Sequence, residues 1–256
     1  MVFMDRLKGK VSIVTGANSG IGKRTAEIFA DEGSDLVLVA RRLDKLKEVE
    51  AECAAKGVKV ISVSADVSIY EDCQKVVKEA IDAFGKIDVL VNNAGIADKH
   101  RPITRIENDW WDHVIQVDQY SVYYMMKEVL PYMEKAHSGS IVNISSIGGV
   151  GCNAGISYSA AKAAVIAMTK NVAIQFAGTG IRCNSVAPGP TPTELNTPEA
   201  VATFDLDFAA QCNRHFDATV PEVSADDQAY AILFFASDES KAVNGQVMIV
   251  DNGCTI

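Results

Sequence analysis

The sequence predicts an α/β fold: a doubly wound sheet of about seven parallel strands with helices on both faces. Three observations carry that expectation. Short, nearly continuous apolar runs recur from one end to the other, longer helical patterns separate them, and no linker, repeat or break in composition divides the 256 residues. Strands apolar on both faces are those of a parallel sheet covered on both sides, and strand–helix alternation builds such a sheet through right-handed crossovers. One domain, residues 1–256, is expected.

In order, Val11–Thr15 is the first strand, ending at a glycine-bearing turn from which the helix Ile21–Glu32 leaves. Leu36–Ala40 is a wholly apolar second strand, followed by the helical pattern Leu43–Lys56. Val58–Ser64, the helix Tyr70–Phe84 and the short strand Val89–Asn92 come next. Asp109–Ala136 then has the spacing of one long helix. Its portion Trp110–Met133 carries more large apolar residues than one sheet face needs, which fits either a buried core helix or contact with another subunit. Ser140–Ser145, the helix Tyr158–Ala177, Ile181–Val186, the helix Ala225–Ala236 and Gln246–Val250 complete the alternation. Pro188–Val220 is too long for an ordinary connection and marks a lid at about 190–220.

Acidic residues outnumber basic ones, 33 to 24, for a formal charge of −9. A nucleic-acid binder shows a basic face instead. No apolar run approaches the about 18 residues of a membrane-spanning helix, and Met1–Lys10 is charged, unlike a secretory signal. The six cysteines lie scattered without C-x-x-C spacing, and His100, His113, His137 and His215 show no ligand spacing. This usage implies reduced thiols in a cytoplasmic protein, with no disulfide framework and no metal site. The expected partner is a small-molecule substrate, with no nucleic acid and no membrane.

The turn after the first strand reads Thr15-Gly16-Ala17-Asn18-Ser19-Gly20-Ile21-Gly22. Glycines let the backbone approach a pyrophosphate closely, and a helix amino terminus supplies free N–H groups and a dipole that favours anions. The spacing is G-x-x-x-G-x-G rather than G-x-G-x-x-G. It nevertheless sits on the first strand–turn–helix of a doubly wound sheet, where dinucleotides bind. At the end of the second strand an NAD site places a carboxylate for the ribose 2′-hydroxyl. Here Ala40-Arg41-Arg42 stands instead. Guanidiniums suit a 2′-phosphate, with Arg41 the stronger candidate of the two, so NADP(H) is expected over NAD(H).

Tyr158-Ser159-Ala160-Ala161-Lys162 puts a phenol and an ammonium on one helix face. A cation beside a tyrosine hydroxyl favours the phenolate and lowers its pKa, which makes a general acid/base usable near neutral pH. Upstream, the strand Ser140–Ser145 ends in the pair Ser145-Ser146, where a hydroxyl can project from the sheet's carboxyl edge.

Taken with Asp66-Val67, Asn92-Asn93-Ala94-Gly95, Ile144-Ser145-Ser146, Ile181–Gly189, Val243–Gln246 and Val250–Gly253, these motifs make the chain resemble a short-chain dehydrogenase/reductase over nearly its whole length. The resemblance implies a Rossmann-like domain and hydride transfer between NAD(P) and a carbonyl/alcohol pair, in a homo-oligomer (tetramer or dimer). Tyr158 would pass a proton to or from the substrate oxygen. Lys162 would hold the nicotinamide ribose and depress the Tyr158 pKa, and a serine would hydrogen-bond the substrate oxygen. Asp66 and Val67 would flank the adenine, Asn93, Ala94 and Gly95 would line the cofactor cleft, and Pro188, Gly189 and Thr193 would meet the nicotinamide. Donors aimed at an oxygen that gains negative charge are what such chemistry requires.

Three departures from the family pattern stand out. Asp118, in Val117-Asp118-Gln119, occupies the place of the family's catalytic asparagine. It serves if the role belongs to a backbone carbonyl holding a water, and not if the side-chain amide is needed. Ser145 meets the family's twelve-residue spacing to the tyrosine, whereas Ser146 meets its S-x-x-G pattern, with Gly149 following, and is preferred. Asn252 replaces a glycine of the usual Asp-Gly-Gly ending, and the lid lacks the family's common arginine before its last helix.

The lid residues Val201, Phe204, Leu206, Phe208, His215 and Phe216, with Trp110 or Trp111 nearby, suggest an apolar cover. The expected substrate is a bulky secondary alcohol or ketone, such as a hydroxysteroid or bile-acid-like compound. Two alternatives stand beside it. A non-catalytic NADP-binding regulator on the same fold would be expected to lose Tyr158, Lys162 or the serines, and none is lost. A reductase of an acyl thioester is the other: at a 3-oxo carbonyl the same residues would serve, while relatives reducing a carbon–carbon double bond space tyrosine and lysine more widely.

Overall fold

A computed structural model describes residues 5–256; the first four residues of the charged amino-terminal stretch lie outside it. The strands are β1 Val11–Thr15, β2 Asp35–Ala40, β3 Val60–Ser64, β4 Val89–Asn92, β5 Gly139–Ile144, β6 Ile181–Pro188 and β7 Val247–Val250. They form one parallel sheet in the order β3-β2-β1-β4-β5-β6-β7. The helices are α1 Gly20–Asp31, α2 Leu43–Ala54, α3 Tyr70–Phe84, α4 Asn108–Ile115, α5 Ser121–Ala136, α6 Ile147–Gly151, α7 Ile156–Gln175, α8 Pro198–Val201, α9 Leu206–Cys212 and α10 Ala225–Ala236.

The period of two along each strand sends alternate side chains into two cores. Val14, Leu36 and Leu38 pack with Phe29 of α1, Leu46 of α2 and Leu233 of α10 on one face. Ile13, Val37 and Val39 pack with Val76 of α3, Met125 of α5 and Val165 of α7 on the other. A one-residue slip would exchange the two sets, so register is strongly specified; Ile13 lies opposite Val37 on one side and Leu90 on the other. The strand order reverses between β1 and β4. Crossovers leave that point toward opposite faces, so the loops there diverge and open a crevice at the strands' carboxyl ends.

The predicted long helix Asp109–Ala136 is interrupted. A π-helical turn, Gln116–Tyr120, separates α4 from α5. Val114, Asp118, Val122 and Met126 are all buried and spaced by four. In a regular helix such a stripe drifts by about 40° per step, because each residue turns about 100°. One widened turn takes up the drift, and periodicity alone does not show where. Of the large apolar residues in this stretch, Met125, Met126, Val129 and Met133 are buried, while Tyr120, Tyr123 and Tyr132 remain exposed. The buried set makes this a core helix, and the three tyrosines lie on its outer surface.

The stretch after β6 is not an open loop. It holds short 3-10 turns at Glu194–Asn196 and Asn213–His215 as well as α8 and α9. Among the described residues no helix is long and apolar enough to cross a membrane.

Candidate active site

Strand β1 ends against the loop that follows β4. Thr15 Oγ1 accepts from the Asn93 and Ala94 backbone N–H groups at 2.9 and 3.0 Å, and Asn93 Nδ2 donates to the Thr15 carbonyl at 2.9 Å. The chain then turns sharply, with Gly16 at φ +65°, the left-handed region that glycine adopts without penalty. A Cβ on Gly22 would stand 2.3 Å from the Gly16 carbonyl oxygen and 2.4 Å from Asn93 Nδ2. The turn thus closes on itself with no room for a side chain. Ser19, at the N-cap of α1, makes no side-chain capping bond, so the first N–H groups of the helix stay available to an anion. These features fit a dinucleotide's pyrophosphate. Gly22→Ala is expected to weaken cofactor binding at least about tenfold by forcing the turn open, measured by fluorescence titration with NADPH; unchanged affinity would show that the turn is not the phosphate cradle.

A cavity of about 650 Å³ begins at this turn. From the β1 and β2 ends it takes Gly16, Asn18, Ser19, Gly20, Ile21, Arg41 and Arg42. From the β4 and β5 ends and α7 come Asn93, Gly95, Ser145, Ser146, Tyr158 and Lys162, and from β6 and the lid come Pro188, Gly189 and Thr193. Gly22 and Ala94 stand in the wall behind these residues, and Asp66 and Val67 do not line the cavity. Asp66 accepts from Ser68 N and Oγ at 3.0 and 2.6 Å, within its own turn. Of the two arginines, Arg42 pairs with Glu194 of the lid at 2.5 Å and also meets the Asn18 side-chain oxygen.

Helix α7 places Tyr158 and Lys162 one turn apart, with Lys162 Nζ 5.4 Å from the phenol ring centre. A buried amide chain ties this helix to the sheet: Asn92 Nδ2 donates to Asn143 Oδ1 at 2.8 Å, and Asn143 Nδ2 to Thr169 Oγ1 at 2.9 Å. The two candidate serines separate clearly. Ser145 donates to the Val186 carbonyl at 3.1 Å and accepts from Ser185 at 2.7 Å, so its hydroxyl is committed to β6. Ser146 accepts from Gly148 N at 3.0 Å as the cap of α6, and its own hydroxyl is directed at the phenol of Tyr158.

Asp118 lies behind the cavity wall, fully buried. Its Oδ1 accepts from Ile96 N at 2.7 Å, and its Oδ2 stands 3.6 Å from Lys162 Nζ with no hydrogen-bond partner. Gly95 fits between them; a Cβ there would lie 3.2 Å from Nζ and 3.4 Å from Oδ1. Burial pushes the Asp118 carboxyl up, against the pull of Lys162. Burial works to lower Lys162, but Asp118 and Tyr158 outweigh it and hold the ammonium above its ordinary value. For Tyr158 the expected lowering is corrected. Burial pushes the phenol up, Lys162 and Ser146 pull it down, Asp118 adds to the rise, and the net shift is upward.

Several residues in the site went unmarked in the sequence. Asp98, 2% exposed, accepts from Tyr158 N at 3.1 Å and Ser157 Oγ at 3.2 Å, anchoring the start of α7. His100 and Asn153 also line the cavity. Asp98 is separated from its partners by sixty residues of chain, and no local pattern joins them. The apolar cover is also smaller than expected. Phe204 and Phe216 line the cavity, but Leu206 and Val201 face solvent, and Phe208, His215, Trp110 and Trp111 are not part of the lining. Asn252 has φ +54°, which explains why glycine suits that position and why asparagine is tolerated.

A family model described as enoyl-(acyl carrier protein) reductase matches residues 16–255. A 3beta-hydroxysteroid dehydrogenase 2 of Eggerthella lenta is 34% identical over 255 residues, covering 96% of this chain and 95% of its own. A 3-oxoacyl-(acyl-carrier-protein) reductase FabG of Thermotoga maritima is 38% identical over 257 residues, covering 98% of this chain and 100% of its own. The crystal structure of carveol dehydrogenase from Mycobacterium avium, in complex with NAD, superposes with a TM-score of 0.89 at 28% identity, over 97% of this chain and 98% of that one. With a match this long and relatives aligned over nearly their full length, the chain belongs to the short-chain dehydrogenase/reductase family of NAD(P)-dependent oxidoreductases.

Proposed function

We propose that the protein interconverts a secondary alcohol and a ketone by hydride transfer, prefers NADP(H) to NAD(H), and acts on a hydroxysteroid or bile-acid-like compound. The observation that carries this reading is the phenol of Tyr158, set beside the Ser146 hydroxyl and the Lys162 ammonium in the cavity that starts at the glycine turn. The Eggerthella lenta relative, named a hydroxysteroid dehydrogenase, supports the substrate class.

In this reading Gly16 to Gly22, Asn93 to Gly95, Pro188, Gly189 and Thr193 hold the dinucleotide, with Asp66 and Val67 on its adenine side. The nicotinamide, when bound, supplies or accepts the hydride. Tyr158 gives its hydroxyl proton to the carbonyl oxygen as charge develops there, or takes a proton from the alcohol in the reverse direction. Ser146 donates a hydrogen bond to the same oxygen, while Ser145, already committed to Ser185 and Val186, supports β6. Lys162 stabilises the phenolate by its charge, and Asp118 keeps that charge in place. The whole chain is read as one cofactor-binding domain with its lid at about 190–220. The exposed Tyr120, Tyr123 and Tyr132 fit a homo-oligomer, and the six free cysteines fit the cytoplasm.

Initial rates of NADP+ and NAD+ reduction over a panel of secondary alcohols, including hydroxysteroids and polyols, test this. Activity confined to small polyols would remove the substrate class, and activity with NAD+ alone would remove the cofactor preference. Arg41→Ala and Arg42→Ala are each expected to raise the KM for NADP+ by about tenfold or more, with the KM for NAD+ held within about threefold. A second reading, reduction of a 3-oxoacyl thioester, is favoured by the FabG relative. A 3-oxoacyl thioester in the reducing panel distinguishes it.

A further inference from the structure

We propose that His100, held by Asp98, reads the substrate: its Nε2 accepts a hydrogen bond from a second hydroxyl that the substrate carries away from its reacting carbon. The inference rests on the oxidoreductase reading above and narrows its substrate to ketones or alcohols bearing a further hydroxyl.

His100 lines the cavity, and its ring stacks on Phe204 of the lid with centres 4.5 Å apart. Its Nδ1 is buried without a hydrogen-bond partner and faces Asp98 Oδ1 at 3.5 Å. Burial holds the imidazole below its ordinary pKa, outweighing the pull of Asp98, so the ring is neutral at neutral pH and carries one N–H. That proton belongs on Nδ1. A lone pair there would face a carboxylate oxygen across a buried gap, whereas an N–H is attracted to it. Nε2 is therefore the acceptor. Among the described residues it makes no hydrogen bond, and unlike Nδ1 it is not a buried, unpartnered atom. An apolar ligand covering it would leave its lone pair unpaired, while a hydroxyl donor would satisfy it.

The surroundings hold the ring in place. His100 has φ +47°, an uncommon backbone for a residue with a side chain, and Asp98 Oδ1 accepts from its N–H at 3.0 Å. On the lid side, Asp205 N donates to the Lys99 carbonyl at 3.0 Å, and Arg105 pairs with Asp205 at 2.8 Å. The other Asp98 oxygen takes the Tyr158 N–H. One carboxylate thus fixes both the reacting residue and the reading residue, and so the separation of the two oxygen functions they meet.

The test uses matched ketones that differ by one hydroxyl remote from the carbonyl, one steroid pair and one monocyclic pair, with NADPH and the full-length protein. The hydroxylated member is expected to show a kcat/KM about tenfold higher in the wild type, expressed in KM. His100→Phe keeps a ring against Phe204 but removes Nε2, and is expected to bring the two members to within about twofold. His100→Gln, whose amide oxygen accepts, is expected to restore part of the preference. Turnover without preference in the wild type, or a preference that survives in His100→Phe, overturns the role of His100 and leaves the oxidoreductase reading standing. No turnover of any ketone by the wild type, with NADPH or with NADH, overturns both.

Discussion

Tyr158→Phe is expected to lower kcat for alcohol oxidation by about a thousandfold while NADPH affinity stays within about threefold, since positioned proton transfer contributes roughly 10²–10⁴ in rate. The substitution removes one oxygen and keeps the ring on α7, so the cavity and its glycine turn should survive. Initial rates and a fluorescence titration on the same preparation separate the two effects. Retained turnover would show that the phenol is not the proton carrier. The upward shift of Tyr158 adds a pH signature. Oxidation needs the phenolate as base, and burial keeps that form scarce near neutrality, so the oxidation rate should climb as pH rises toward the phenol's pKa. Ketone reduction needs the protonated phenol and should stay level over the same range. A flat oxidation profile in the wild type would contradict this assignment.

Lys162→Met is expected to cost about 3–5 kcal/mol of stability near neutral pH, because it strands the Asp118 carboxylate in the interior. Asp118 is fully buried, and without the ammonium at 3.6 Å nothing offsets burial except the Ile96 N–H. The sign of the pH dependence follows. A carboxyl whose folded pKa is raised binds its proton more tightly when folded, so stability falls as pH rises from about 4 through the folded value. Relative to wild type, Lys162→Met should therefore regain stability on acidification. The double variant Lys162→Met/Asp118→Asn should recover most of the loss at pH 7 and lose that pH dependence. Denaturant unfolding of the wild type, Lys162→Met, Asp118→Asn and the double variant at pH 5 and pH 7 measures the cycle. A double variant as unstable as the single one would mean that Lys162 matters through packing and not through this pair.

The alternation of strands and helices was legible because burial on both sheet faces forces nearly apolar strands, a signal contained in each short segment. The same holds for the glycine turn, where close backbone approach excludes every other residue type at Gly22. Tyr158 and Lys162 were legible because helical spacing fixes their common face. Asp98, His100 and Asn153 were not, since a carboxylate that caps a helix from a distant loop leaves no trace in local spacing. The π-helical turn escaped for a different reason. Its buried stripe has a spacing that a regular helix also tolerates over a few turns. The downward shift expected for Tyr158 failed because burial penalises the phenolate by more than Lys162 stabilises it, and the nearby Asp118 charge adds to the rise.

The widened turn at Gln116–Tyr120 also sets which kinds of change the chain can absorb. Removing one residue from it would restore a regular helix but rotate everything on one side by about 100° relative to the other. Either Asp118 would leave Lys162, or the stripe of Val122, Met125 and Met126 would leave the core. Exposed positions such as Tyr120 and Tyr123 can be exchanged at little cost to the fold, but the length of the segment cannot vary. In the lid, Leu206 and Val201 already face solvent, so a residue gained or lost is absorbed at the surface wherever it leaves Phe204 and Asp205 against His100 and Lys99. Two neighbouring parts of one site are thus held to different rules: the lid can vary in length between its anchored residues, and the widened turn cannot vary at all.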